Sequence, residues 1–201
     1  MADFTLKPPK KELQQLAEEY WEKSSKKWRS AEKAAFAAGT AIRKGNFSLK
    51  NLVTILKWKS ARSVFHLKKN SSDQIKDALK RVSSPKMSTS DAMNVLIDLK
   101  GVDVAVASAI LTAIFPRRYT VLDFRTLEAL GHPRHNVAFY EEYLTFCKAL
   151  ARGDFITPQN NRPAPTALRA LDRALWRWSK NMSIKPHQTR ASIEEEEDGK
   201  D

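Results

Sequence analysis

Apolar residues recur every three or four positions along most of this chain, with polar residues between them. Leu13, Leu16, Ala17 and Tyr20 show this spacing near the start of the sequence. It is the spacing of one face of an α-helix, and the strict alternation of a half-buried strand is absent. The pattern therefore predicts an all-α fold.

The helical pattern is interrupted by short segments that contain Gly, Asn, Ser or Pro, which favour turns. The predicted helices cover residues 10–29, 31–43, 49–67, 75–82, 91–99, 104–115, 124–130, 137–150 and 166–178. We expect one compact multi-helix domain over residues 10–180. A flexible N-terminus at 1–9 and a disordered acidic tail at 181–201 are expected to flank it.

The charge is distributed unevenly along the chain. The formal net charge is +12, but the last eleven residues hold six acids and one lysine, so residues 1–190 carry +17. Such an excess indicates a polyanionic partner, a membrane surface or a solubility function. Nucleic acid is favoured over a membrane, because no lipidation motif and no long amphipathic anchor is present.

The sequence also favours some classes of protein over others. No stretch reaches the roughly 18 apolar residues of a membrane span, and no signal-peptide pattern opens the chain. We expect a protein that is not secreted, a cytoplasmic monomer that is nucleoid-associated if its source is bacterial. Cys147 is the only cysteine, which excludes an intramolecular disulfide, a thiolate zinc site and a cysteine-ligated iron–sulfur cluster within one chain. We predict that it fills the core.

Histidines give no metal site. His132 and His135 flank a short Pro-Arg loop, but no third ligand lies at a suitable spacing. We therefore expect no bound metal ion at these histidines.

The segment 91–125 has the most informative pattern. A helix leads into a tight hairpin at 99–103, and a second helix follows that is apolar on nearly every side and rich in small residues. Pro116 ends this second helix, because proline cannot donate the next helical hydrogen bond. Asp123 then stands at the start of a third helix.

This segment resembles the helix-hairpin-helix DNA glycosylase superfamily. Leu99, Gly101, Val102, Ala107 and Asp123 match the hairpin, the small-residue helix and the downstream catalytic aspartate of that family. The resemblance covers about 35 residues. It implies a helical domain with a helix-hairpin-helix unit, which binds double-stranded DNA and excises a damaged or mismatched base.

The hairpin itself suggests how DNA would bind. A glycine turn before a helix exposes backbone N–H groups, and the helix dipole adds partial positive charge that attracts phosphate. The candidate DNA contacts are Lys100, Gly101, Val102, Asp103, Arg125, Lys59 and Arg62. The resemblance also allows a structural monovalent cation at the hairpin, and no small-molecule cofactor is expected. The alternative is an ordinary helix turn with glycine in a left-handed conformation.

The chain departs from the family pattern at three positions. Lys100 replaces a proline, and Asp103 replaces the second glycine, where a carboxylate caps the next helix but repels phosphate. Ala105 occupies the position of the nucleophilic lysine of bifunctional family members. We therefore expect no Schiff-base chemistry by that route, and a monofunctional enzyme.

Asp123 is the candidate catalytic carboxylate. The resemblance implies that it orients a water molecule or stabilises positive charge as the bond between base and sugar breaks. The alternative is a plain helix cap, for which aspartate is favoured. Two functions remain open: a monofunctional DNA glycosylase that uses Asp123, or a non-catalytic helix-hairpin-helix protein that binds nucleic acid.

Overall fold

The computed structural model describes residues 3–132 and 136–197, and every regular element within them is helical. This confirms the predicted all-α fold. A short 3-10 helix at Lys10–Glu12 is followed by the α-helices α1 Leu13–Glu22, α2 Lys26–Arg43, α3 Leu49–Lys59, α4 Ser63–Leu67, α5 Ser72–Val82, α6 Thr89–Ile97, α7 Val104–Ile114, α8 Phe124–Ala129, α9 Val137–Leu150 and α10 Ala167–Glu197.

Helix α7 lies at the centre of the core. Residues 106–114 are all buried, as the almost uninterrupted apolar sequence predicted. Helices α2, α3 and α6 pack around it. Gly39 on α2 brings two backbones into contact, because a Cβ atom at this position would lie 2.1 Å from the carbonyl oxygen of Ala113. The absence of a side chain therefore sets the distance between α2 and α7.

Two predicted helices are each divided in the structure. The predicted helix 10–29 ends as α1 at Glu22, and α2 begins at Lys26, because the Ser25 hydroxyl accepts the N–H of Trp28 at 3.1 Å. The predicted helix 49–67 is interrupted between Lys59 and Ser63. Apolar spacing continues across both breaks, so periodicity alone did not reveal them.

The N-terminal segment is attached to the domain. The N–H of Thr5 donates to the carbonyl oxygen of Leu130 at 3.1 Å, and the rings of Phe4 and Phe139 lie 5.3 Å apart. This arrangement differs from the flexible segment predicted for 1–9. The short length and the two prolines of the segment predicted a loose chain, and Phe4 was not singled out as the residue that holds it in place.

Helix α10 is longer than the sequence pattern predicted. It continues to Glu197, whereas we predicted its end at Trp178 and disorder from 181. Ser179 is fully buried, and its hydroxyl donates a hydrogen bond to the carboxylate of Glu128 on α8. This polar contact extends the packed part of the helix beyond Trp178, and residues 198–201 lie outside the described part of the chain.

A buried charge network joins α2 to α10. The Glu32 carboxylate accepts from Arg173 Nη2 at 2.5 Å and pairs with Arg169 Nη2 at 3.0 Å. Asp172 pairs with Arg169, and all four side chains are at most 4% exposed. The Tyr20 hydroxyl donates to the second oxygen of Glu32 at 3.1 Å. The periodic pattern follows apolar residues and singled out none of these charged residues, so the network was not predicted.

Candidate functional site

A short extended segment, residues 120–122, leads from the end of α7 towards α8 and determines where Asp123 lies. The hydroxyls of Tyr140 and Tyr143 donate to the carbonyl oxygens of its first two residues at 2.9 and 2.8 Å. The N–H of its third residue donates to the Ser108 hydroxyl at 2.8 Å. Side chains from α9 and α7 thus satisfy a backbone that has no strand partner.

Asp123 caps α8, as the simpler interpretation of its position predicted. Its Oδ1 atom accepts the N–H of Arg125 at 3.0 Å, and the Thr126 hydroxyl accepts the N–H of Asp123 at 3.1 Å. These bonds fix the backbone and one carboxylate oxygen. The other oxygen, Oδ2, remains available for a contact outside the helix.

Lys59 provides that contact. Its ammonium nitrogen lies 2.5 Å from Asp123 Oδ2 and donates to the carbonyl oxygen of Leu122 at 3.2 Å. The two charged side chains are only 11% and 19% exposed, so water screens the pair weakly. We predicted that Lys59 contacts DNA phosphate, but in the structure its charge is directed at the candidate catalytic carboxylate. The break after α3 makes this possible, because Lys59 is the last residue of the helix.

A cavity of about 440 Å³ opens beside this ion pair. Its walls come from the end of α3, the start of α7 and the start of α8. The lining residues are Lys59, Ser60, Arg62, Asp103, Val104, Ala105, Val106, Leu122, Asp123, Phe124 and Leu127. The structure therefore brings together four of the predicted site residues and the position of the missing lysine, Ala105. Phe124, which the sequence did not single out, is 54% exposed at this cavity.

The hairpin forms a tight turn whose polar groups are partly used within the protein. Gly101 has φ of +89°, and a Cβ atom there would lie 2.8 Å from the backbone of α4. Asn70 accepts the N–H of Lys100 at 2.9 Å and donates to its carbonyl oxygen at 3.0 Å. The N–H of Val102 donates to the carbonyl oxygen of Leu99 at 3.1 Å, and the Val102 side chain is buried. The exposed Lys100 side chain is thus the group of the turn best placed to meet a polyanion.

Asp103 caps α7, because its Oδ1 atom accepts the N–H of Val106 at 2.8 Å. This agrees with the capping role that the sequence predicted for it. Its carboxylate also lines the cavity. An incoming phosphate would therefore meet one negative charge beside the partial positive charge of the helix start.

Arg125 is not among the residues that line the cavity, and it contacts residues of α10. Its guanidinium lies 4.8 Å from the centre of the Phe124 ring and 5.5 Å from that of Trp176. It donates to the hydroxyls of Ser179 and Ser183 at 3.3 and 3.2 Å. We predicted that Arg125 contacts DNA. In the structure, its hydrogen bonds to the two serines hold α8 against α10.

Within the described residues, no group of three or more His, Cys, Asp or Glu side chains could hold a metal ion. His132 packs against Phe4, and His135 lies outside the described residues. Cys147 is buried in the core as predicted, and burial raises the pKa of its thiol to about 12. No helix in the described part of the chain is long and apolar enough to cross a membrane.

The monovalent cation that the resemblance allows at the hairpin would need free carbonyl oxygens. The carbonyl oxygens of Leu99 and Lys100 already accept hydrogen bonds from Val102 and Asn70. Each of these bonds uses one of the two lone pairs of its oxygen.

The sequence missed the residues that hold the site in place. Ser108 lies in the predicted helix 104–115, Tyr140 and Tyr143 lie in the predicted helix 137–150, and the hydroxyls of all three were not considered. The spacing of the two tyrosines was a usable signal, since residues three apart lie on one helix face and their hydroxyls bond neighbouring carbonyl groups.

Comparisons with known proteins identify no family for this chain. No family model, no curated protein and no solved structure matches this chain. Its function must therefore be argued from the residues and geometry described above.

Proposed function

We propose that this protein binds double-stranded DNA and acts as a monofunctional DNA glycosylase, which hydrolyses the N-glycosidic bond of a damaged or mismatched base. The observation that carries the proposal is the position of Asp123. Asp123 lines a cavity of about 440 Å³, and the cavity is also bounded by the start of α7. A base that leaves the duplex stack would enter this cavity.

The start of α7 supplies the contact to DNA backbone. The first N–H groups of a helix have no partner within the helix, and in α7 these include Val104 and Ala105, which line the cavity. Together with the helix dipole, they favour a phosphate group near the cavity entrance. Lys100 on the turn before the helix adds a full positive charge, which increases affinity without reading sequence.

Asp123 acts as an ionised carboxylate in this scheme. As the bond between base and sugar breaks, positive charge develops on the sugar, and a negative charge in a shielded site stabilises it. The N–H of Arg125 donates to one carboxylate oxygen, and the N–H of Asp123 donates to the Thr126 hydroxyl and so fixes the backbone that carries the carboxylate. The ammonium group of Lys59 lies 2.5 Å from the other carboxylate oxygen and holds it in place.

The test is a cleavage screen with duplexes that carry uracil, alkylated, oxidised or mismatched bases. Asp123→Asn removes the charge but retains the size of the side chain, and we expect it to abolish excision and leave DNA binding intact. Asp98→Asn is the control, because Asp98 is exposed at the end of α6 and outside the cavity. Wild-type excision by the Asp123 variant would contradict the catalytic role.

A second candidate is a non-catalytic protein that binds nucleic acid through the same surface. Two observations favour it: Lys59 neutralises the Asp123 charge, and Asp103 places a negative charge at the hairpin. The screen distinguishes the two candidates. If the wild type binds duplex DNA but processes none of these lesions, the binding function is the better assignment.

A further inference from the structure

Two adjoining cavities lie at the opposite end of α7 from Asp123. Their volumes are about 500 and 440 Å³, and they share Arg117, Pro165 and Thr166 in their linings. Five cationic side chains line them, namely Arg43, Arg117, Arg118, Lys148 and Arg152, and no carboxylate does. The eleven residues of α7 separate this end from the Asp123 cavity by about 16 Å at 1.5 Å per residue.

The positive charges in this cluster have no carboxylate partners in the described part of the chain. Arg43 donates to the carbonyl oxygen of Ile114 at 2.8 Å, and Arg118 donates to that of Pro85 at 2.6 Å. These carbonyl groups are neutral, so both charges remain uncompensated. Arg117, Lys148 and Arg152 form no ion pair within the described residues.

Lys148 shows that the like charges interact. It is half-buried near the end of α9. Burial lowers the pKa of its ammonium group, and the nearby positive charges of Arg118 and Arg152 lower it further. A half-buried cation beside other cations destabilises the unliganded fold. A bound anion would remove this repulsion.

The partial negative charges of nearby helix C-termini offset only part of the positive charge of this cluster. Cations are favoured near helix C-termini, and the ends of α7 and α9 both lie close to the cluster. Each helix end is equivalent to about half of a negative charge, so the two ends offset roughly one of the five cations. The start of α10 adds partial positive charge, because Ala167 and Leu168 at this helix N-terminus also line the larger cavity.

We propose that these two cavities form one binding site for phosphate groups, separate from the Asp123 cavity. Arginine guanidinium groups bind phosphate through paired, charge-assisted hydrogen bonds, which explains a cluster in which four of the five cations are arginines. A group with two or more negative charges matches the excess of positive charge better than a carboxylate does. The phosphates belong either to a small phosphorylated compound or to a nucleic-acid backbone.

The experiment is a calorimetric titration of the full chain with inorganic pyrophosphate at low salt. We expect saturable one-to-one binding. The double variant Arg117→Gln/Arg152→Gln removes two exposed cations and should weaken binding by about tenfold or more, because bonds to charged groups contribute strongly. The control Lys76→Gln/Lys80→Gln removes the same charge from exposed positions on α5 and should change affinity by less than about twofold.

A third variant separates a binding role from a structural one. Lys148→Gln should weaken pyrophosphate binding and raise the melting temperature of the unliganded protein, because it relieves repulsion from Arg118 and Arg152. A structural role predicts a lower melting temperature instead. Absence of saturable binding, or equal weakening in the control on α5, would overturn the proposal.

The same variants identify the source of the phosphate. If Arg117→Gln/Arg152→Gln also weakens binding of a short DNA duplex, the site takes backbone phosphates. If only pyrophosphate binding weakens, the site takes a small phosphorylated compound. Asp123→Asn should leave pyrophosphate binding unchanged, so failure of the glycosylase proposal and failure of this one are distinguishable.

Discussion

The substitution Glu32→Gln tests the buried charge network. In the native protein, the charges of Glu32 and Asp172 balance those of Arg169 and Arg173, and all four are almost fully buried. Glutamine retains the shape of the side chain but leaves one buried positive charge without a partner. Its amide NH₂ group also has to face a guanidinium group that can only donate hydrogen bonds.

The expected loss is large compared with the stability of a domain. Removing one partner of a buried ion pair costs about 3–5 kcal/mol, whereas domains of this type are stable by about 5–15 kcal/mol in total. The measurement is urea unfolding followed by circular dichroism, with the free energy of unfolding extrapolated to water. Glu19→Gln is the control. Glu19 pairs with Lys23 and Arg177 near the surface, so its loss should cost about 1 kcal/mol or less.

The pH dependence of unfolding provides a second test of the network. Burial alone would raise the pKa of Glu32, but Arg169 and Arg173 outweigh this effect and lower it below its ordinary value. The stabilisation from the ionised group is therefore fully present above the unfolded-state pKa of about 4.3. It is lost as the pH falls through the lower pKa of the folded state.

The wild type should consequently lose stability below about pH 4, and Glu32→Gln should lose less over the same range. A variant that loses less than about 1 kcal/mol at neutral pH would refute this account of the network. So would a variant whose acid dependence equals that of the wild type.

Three further predictions concern the core and the site. Gly39→Ala should lower the free energy of unfolding by about 1–3 kcal/mol, because the new Cβ would overlap the backbone of Ala113; thermal melting measures this, and an unchanged melting temperature would contradict the close contact. Lys100→Glu should weaken duplex binding for all sequences and reduce its salt dependence, as measured by fluorescence anisotropy, whereas salt-independent binding would exclude the electrostatic model. Borohydride should trap no covalent complex, since Ala105 provides no amine and the Lys59 ammonium is paired with Asp123; strong trapping that Lys59→Ala removes would show that Lys59 is a nucleophile.

Periodicity predicted the helical fold because core contacts in a helical protein repeat with the helix. It also predicted the buried α7 and the core position of Cys147. Each of these features depends on residues that are close in sequence. Local patterns were therefore sufficient to find them.

The features that the sequence did not predict are contacts between distant polar residues. The pair of Lys59 with Asp123 joins residues 64 positions apart, and Arg173 meets Glu32 across 141 positions. A polar residue in a helical pattern is ordinarily assigned to solvent, and only the fold shows which ones meet. This explains why Asp123 and Lys59 were each predicted as candidates but their pairing was not.

The tyrosine bonds behind Asp123 affect how any activity of this cavity would respond to pH. Burial raises the pKa of both Tyr140 and Tyr143 well above the ordinary tyrosine value. Their hydroxyls therefore keep their protons, and go on donating to the extended segment, in solutions alkaline enough to ionise an exposed tyrosine. A change in rate between acidic and mildly alkaline solution would then have its origin outside these two tyrosine bonds, because the supporting backbone stays unchanged.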